Sequence, residues 1–269
     1  HPDSIYCVEN IGRALTGLEQ YDEALSYFEK ALKIEPNSKK IIVSKGFCYE
    51  KLKKYDEAIQ CYDKAILFNP KYVRAYTRLA YVYSSVKQFE KALESSDKTI
   101  ELDPDNYALY YNKGVILHEN HKFAEAAILY KKSLELNPNN LQTIVNMGSA
   151  LSDSEKREEA ILYFRKGLAQ DPDHQIALYS LGLTLLYLRR FDESLIPIEH
   201  YLKLNPKSTE AQMTQAMIFA NTGNVLESLT LLEKLRQSHP HFKEELQENL
   251  VIGIFDPIKD SERFKKLIS

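Results

Sequence analysis

The sequence has no tryptophan, only three cysteines and nine glycines, and no apolar run near the roughly eighteen residues that a membrane-spanning helix needs. A helical membrane span is thereby excluded. Cys7, Cys48 and Cys61 are too few and too unevenly placed for a disulfide framework, and no two form a Cys-x-x-Cys pair. They read as small core residues of a protein kept in a reducing, cytoplasmic compartment. Cys48 and Cys61 fall within one predicted helical hairpin, and spacing alone leaves open whether they could bridge. An excess of charge of one sign is also missing: 35 basic residues face 38 acidic ones. That balance predicts no general attraction to nucleic acid or to an anionic membrane surface.

Motifs that carry chemistry are absent too. There is no glycine-rich phosphate loop, no Gly-x-Ser-x-Gly and no cluster of cysteines spaced to hold a metal. His118-Glu119-Asn120-His121 spaces its histidines by three, whereas the His-Glu-x-x-His zinc motif uses four. His239-Pro240-His241 is a weaker candidate still, and paired carboxylates such as Glu158-Glu159 sit on an expected solvent face. The expectation is a non-catalytic protein with no cofactor and no metal.

Proline, in contrast, is present with strict regularity. Pro2, Pro36, Pro70, Pro104, Pro138, Pro172, Pro206 and Pro240 follow one another at intervals of 34 residues. An unbroken period of this length marks one supersecondary unit stacked on itself, because each unit must cover the apolar face of its neighbour. Pro2 already occupies a place in the ladder, so residues 1–4 are expected to close a preceding repeat of a longer chain.

Residues 39–72 illustrate the unit. Ile42, Gly46 and Tyr49 recur at helical spacing, the polar pair Lys53-Lys54 interrupts, and Ala58, Tyr62 and Ala65 resume it. This predicts a helix, a short turn and a second helix ended by Pro70, since proline cannot continue the hydrogen-bond ladder. Asp56 suits an N-cap or first-turn place on the second helix. Small residues recur at the eighth place (Gly12, Gly46, Ala80, Gly114, Gly148, Gly182, Ala216) and the twentieth (Ala24, Ala58, Ala92, Ala126, Ala160, Ser194, Ser228). A mid-helix glycine costs about 0.5–1 kcal/mol against alanine, so its recurrence points to close helix approach. Phe28, Tyr62, Tyr130 and Phe164 are large complements on the second helix, and Ser96 is a lapse at the same place.

The period, the small eighth residue, the aromatic at Tyr21, Tyr55, Phe89, Phe123 and Phe191, the small residue three places later and the closing proline resemble the tetratricopeptide repeat family. The resemblance covers seven repeats, 5–38, 39–72, 73–106, 107–140, 141–174, 175–208 and 209–242, with capping helices over 243–269. It implies an all-α, right-handed α-α superhelical solenoid. The tryptophan common at the fourth place is missing: Val8, Ile42, Tyr76, Tyr110, Ile144, Leu178 and Gln212 stand there.

In such proteins the first helices line the inner groove, and the resemblance places the second, fifth, sixth, ninth and twelfth residues of each repeat toward a ligand. These include Asn10, Arg13, Lys40, Phe47, Arg74, Arg78, Tyr81, Tyr111, Asn112, Asn146 and Tyr179, with Glu9 and Glu50 among the cations and Leu183, Met213 and Met217 continuing an apolar track. A basic patch beside aromatics suits an extended peptide carrying acidic residues. Asn10, Asn112 and Asn146 share the sixth place, similar to the asparagine ladder of O-linked N-acetylglucosamine transferases, though Ser44, Arg78, Ser180 and Thr214 interrupt it. The dicarboxylate clamp of chaperone-binding relatives is matched only in charge, by Arg74 and Arg78, because Glu9, Arg13 and Ser44 replace its Lys and Asn residues.

Late repeats drift. Pro197 falls inside a second helix and predicts a kink or local widening; Gln212 and Gln215 replace apolar residues. Residues 243–255 read as an amphipathic cap, Asp256-Pro257 as its break, and Phe264, Leu267 and Ile268 as a last helix that either folds back or docks elsewhere. The expected function is a scaffold that binds a peptide segment in its groove. Two alternatives stand beside it: the substrate-presenting region of a larger enzyme such as a glycosyltransferase, and a self-associating scaffold.

Overall fold

Apolar residues at helical spacing on both sides of a polar break dictate helical hairpins, and hairpins are what the chain forms. The computed structural model describes residues 4–238, 242–251 and 253–268, so Pro2, His239, Pro240 and His241 lie outside the described residues. Those residues are all-helical, and their helices fall into two compact units.

The first unit pairs α1 (Ile5–Gly17) with α2 (Tyr21–Ile34), α3 (Lys39–Lys51) with α4 (Tyr55–Phe68), α5 (Val73–Ser85) with α6 (Phe89–Leu102) and α7 (Tyr107–Glu119) with α8 (Phe123–Leu136). The second pairs α9 (Leu141–Asp153) with α10 (Arg157–Gln170), α11 (Gln175–Tyr187) with α12 (Phe191–Leu204) and α13 (Thr209–Asn221) with α14 (Val225–Ser238). It ends in α15 (Phe242–Val251) and α16 (Glu262–Ile268). In each unit a hairpin packs on the next, and successive first helices also touch.

Helix ends follow from local chemistry. Second helices stop two residues before the ladder prolines, at Ile34, Phe68, Leu102, Leu136, Gln170 and Leu204. First helices end in a Schellman turn: Lys54 N–H bonds Tyr49 C=O at 2.9 Å while Lys53 takes a left-handed φ of 58°. Glu19, Lys87, His121, Glu155 and Arg189 repeat that conformation without glycine; Gly223 supplies it in the last hairpin. Asp56 lies in the first turn of α4, behind the N-cap Lys54, where it meets the helix dipole and does not cap.

Contact between the eighth and twenty-fourth residues of a hairpin builds the core. A Cβ at Gly46 would lie 2.6 Å from Tyr62 Cε1, and one at Gly148 2.7 Å from Phe164 Cε1. Glycine therefore lets the aromatic ring lie directly on the backbone of the first helix. In α12 and α14, Ser194 and Ser228 donate hydrogen bonds to Gly182 C=O (2.7 Å) and Ala216 C=O (2.8 Å), adding polar ties to the late hairpins, while Gly182 still packs against Ile198. Helix α12 continues through Pro197 at the same fourteen-residue length as its counterparts, with Pro197 buried inside it.

The last helix folds back. Phe264 and Leu267 are buried with Phe255, and Arg263 holds Glu233 of α14 with two bonds of 2.7 and 2.8 Å. No described helix is long and apolar enough to cross a membrane. Among the cysteines, Cys48 is buried beside Thr16 and Cys61 is half-buried in α4; both are free, and burial pushes the Cys61 thiol up to about 11. Cys7 departs from the core expectation and is exposed, because the preceding hairpin that covers its counterparts Ile41, Ala75 and Leu109 has no equivalent beside α1 among the described residues.

Three outcomes follow from these contacts. Gly46→Ala should lower unfolding stability by about 1–3 kcal/mol in urea titration, since the Tyr62 ring is held and cannot withdraw. Lys53→Gly should raise it by about 0.5–1 kcal/mol, relieving the left-handed strain at a cost in chain entropy. Under native conditions a thiol reagent should label Cys7 first and Cys48 last, read by mass spectrometry of digested protein.

Candidate functional site

Helices α1, α3, α5 and α7 lie in series along one face of the first unit. Between α5 and α7 this face opens into a cavity of about 780 Å³. Arg74, Arg78, Tyr81, Tyr111 and Asn112 all line it, and its floor is formed by Ala80 of α5 with Ser96 and Thr99 of α6.

The two arginines differ in state. Arg78 is half-buried: its guanidinium lies 4.6 Å from the Phe47 ring centre, and Nη1 contacts Glu50 Oε1 at 3.3 Å. Glu50 itself is buried, and its other oxygen accepts from the Tyr62 hydroxyl at 2.8 Å. Burial, followed by the neighbouring Glu50 carboxylate, pushes the Tyr62 phenol far up, so that it remains a proton donor. Glu50 is thus no groove acid: it is a buried strut that orients Arg78 and spends part of its charge. Arg74, one turn earlier, is exposed and has no ion pair among the described residues. At the far end of the cavity Glu119 accepts from the Ser84 hydroxyl at 2.5 Å. The site is consequently cationic near the start of α5 and anionic near the end of α7.

Tyr81 is 54% exposed and offers its ring to solvent, while Tyr111 packs its ring 6.0 Å from that of buried Tyr130. Asn112 is half-buried on the wall. Asn10, Arg13 and Lys40 are exposed on α1 and α3 outside this cavity, and Phe47 lies beneath Arg78. Asn146 and Tyr179 belong to the second unit, where Gln142 Nε2 approaches Asn146 Oδ1 at 3.4 Å and Tyr179 lies 5.2 Å from the Tyr201 ring. The apolar track expected through Met213 and Met217 is not an open surface. Both are buried in the cluster that also holds Phe255 and Phe264, so that region is core.

His118 and His121 flank the Phe123 ring edge-on, at 5.1 and 5.7 Å, which gives the His-Glu-Asn-His stretch a packing role. Sequence reasoning missed Ser96, Thr99 and Glu119 as parts of the site. The lapse at Ser96 was the available signal, for a missing aromatic implies space.

Models of the tetratricopeptide repeat match residues 9–38, 41–72 and 107–140, and two further models with that description match 61–94 and 145–208. No curated protein matches the sequence. Among solved structures, YrrB, described as a TPR protein with an unusual peptide-binding site, is 22% identical with a TM-score of 0.57, covering 68% of this chain and 95% of that one. PilW, a type IV pilus biogenesis factor, is 19% identical at a TM-score of 0.65 over 86% and 98% of the two chains. PilF of Pseudomonas aeruginosa is 17% identical at 0.66 over 78% and 97%. At these identities the likeness is one of fold.

The Glu50 strut can be tested by substitution. Glu50→Leu, which strands the buried Tyr62 hydroxyl, should cost about 1–3 kcal/mol in denaturant unfolding, and Glu50→Gln, which keeps an acceptor, should cost less.

Proposed function

The chain belongs to the tetratricopeptide repeat family, and from that premise we propose that it is a non-catalytic scaffold that binds an extended, acidic segment of a partner protein across α5 and α7. The observation that carries this reading is the convergence of Arg74, Arg78, Tyr81, Tyr111 and Asn112 on one cavity. Each residue has a distinct task there. Arg74 is free to pair a carboxylate, and Arg78, held by Glu50 and Phe47, offers donors at a fixed angle. Tyr81 presents a flat apolar face with a polar tip. The Asn112 amide both donates and accepts, as a peptide backbone requires. A neutral hydrogen bond contributes about 0.5–1.5 kcal/mol net, so one asparagine cannot hold a segment and the ring contacts must supply most of the affinity. The peptide-binding site described for YrrB, a fold relative, agrees with this use of the architecture.

Self-association through the chain's end is a second reading, in which exposed Ile268 of α16 would take part while Phe264 and Leu267 stay buried within the chain. Presentation of substrates to a catalytic domain would use the same groove, with the scaffold joined to an enzyme.

An array of acidic peptides probed with the wild-type chain and with Arg74→Glu/Asn112→Ala tests the assignment. The double variant should lose at least tenfold in affinity, and wild-type binding should weaken as salt rises. Equal binding by both proteins would remove the site from this face.

A further inference from the structure

Within that groove, and resting on the peptide-binding reading, the third hairpin departs from its neighbours in the core. In the first, second and fourth hairpins an aromatic ring, Phe28, Tyr62 or Tyr130, lies buried beneath a glycine of the first helix. The third has Ser96 and Ala80 at those places. The two exchanges depend on each other. A Cβ at Gly12, Gly46 or Gly114 would come within 2.6–2.8 Å of ring carbons, so the methyl of Ala80 fits only opposite a small residue.

Serine fills little of the volume that a ring takes. Its hydroxyl turns back to Ala92 C=O at 2.9 Å, and Thr99 turns to Ser96 C=O at 2.7 Å, so neither side chain extends into the space. The fully buried cluster around them holds only Ala80, Ala92 and Ile116, with half-buried Tyr83, Phe89 and Leu93 packed against it. That space opens to the groove, since Ala80, Ser96 and Thr99 are the floor of the 780 Å³ cavity between α5 and α7.

We propose that this cavity is a pocket for an aromatic side chain of the bound segment, a phenylalanine or tyrosine next to an acidic residue. The guest ring takes the place of the host ring that the third hairpin lacks. Ile116 and Leu109 give it apolar walls, and Tyr81 stands at the mouth for ring-to-ring contact. Arg74 at the start of α5 pairs the neighbouring carboxylate, while Glu119 repels acids from the opposite end, which sets the direction of the segment.

The test uses the full 269-residue chain and fluorescein-labelled octapeptides of Glu and Ser with one central Phe, Tyr, Leu or Ala, followed by fluorescence polarisation. Phe and Tyr peptides should bind at least tenfold more tightly than the Ala peptide. Ala80→Gly/Ser96→Phe restores the ring from within and leaves the groove charges in place; it should keep or raise the melting temperature and reduce the Phe peptide to the level of the Ala peptide. Independently of any variant, the Ile116 methyl resonances should show a ring-current shift with the Phe peptide and none with the Ala peptide. Equal affinity for Phe and Ala peptides overturns the pocket and leaves the groove reading standing. Unchanged Phe binding by the folded double variant does the same, as does an unmoved Ile116 methyl. If no peptide binds at all, the groove reading fails and the pocket with it.

Discussion

The contact of a small residue on the first helix with a large one on the second is the constraint on which the rest of this protein depends. A hairpin of a thirteen-residue and a fourteen-residue helix cannot bury enough apolar surface by itself, so it must close tightly and then stack. Gly12, Gly46, Gly114 and Gly148 accept their intrinsic helix cost because a ring then rests on bare backbone. Close approach fixes the angle within each hairpin, and repetition carries that angle along each unit.

Where the contact changes, a cavity opens. Replacement of the Gly–aromatic pair by Ala80 and Ser96 weakens one hairpin internally and leaves its void facing the groove. The second hairpin compensates from beside it: Tyr62, the ring that the third hairpin lacks, anchors Glu50, and Glu50 aims Arg78 into the cavity. Core packing in one repeat thereby orients a cavity-lining arginine in the next. This coupling between neighbours is what a stack offers and an isolated hairpin does not.

Late in the chain a different solution closes the stack. Ser194 and Ser228 replace alanine with side-chain hydrogen bonds to the facing helix, and the terminal helix covers the apolar end through Phe264, Leu267 and the Arg263–Glu233 pair. Met213 and Met217, which the family resemblance implied along the groove, are buried in the cluster at that end. Their positions in the repeat match those that the resemblance places toward a ligand; what differs is the surrounding cluster, to which Ile254 and Phe255 after α15 contribute, and no local pattern records that.

The 34-residue ladder of prolines and small residues by itself determined the repeat, the helical hairpins and the turn positions, and carried the resemblance to the family. Those properties arise from interactions within one repeat or between adjacent repeats, so they recur and are legible in sequence. It also exposed the lapse at Ser96 without showing what the lapse does. Only the tertiary structure decided that Glu50 is buried and Arg74 is not, that Ser96 floors an open cavity, and that the last methionines are core. The reason is physical: charge state, exposure and empty volume depend on what lies on every side of a residue, and a period describes only one direction.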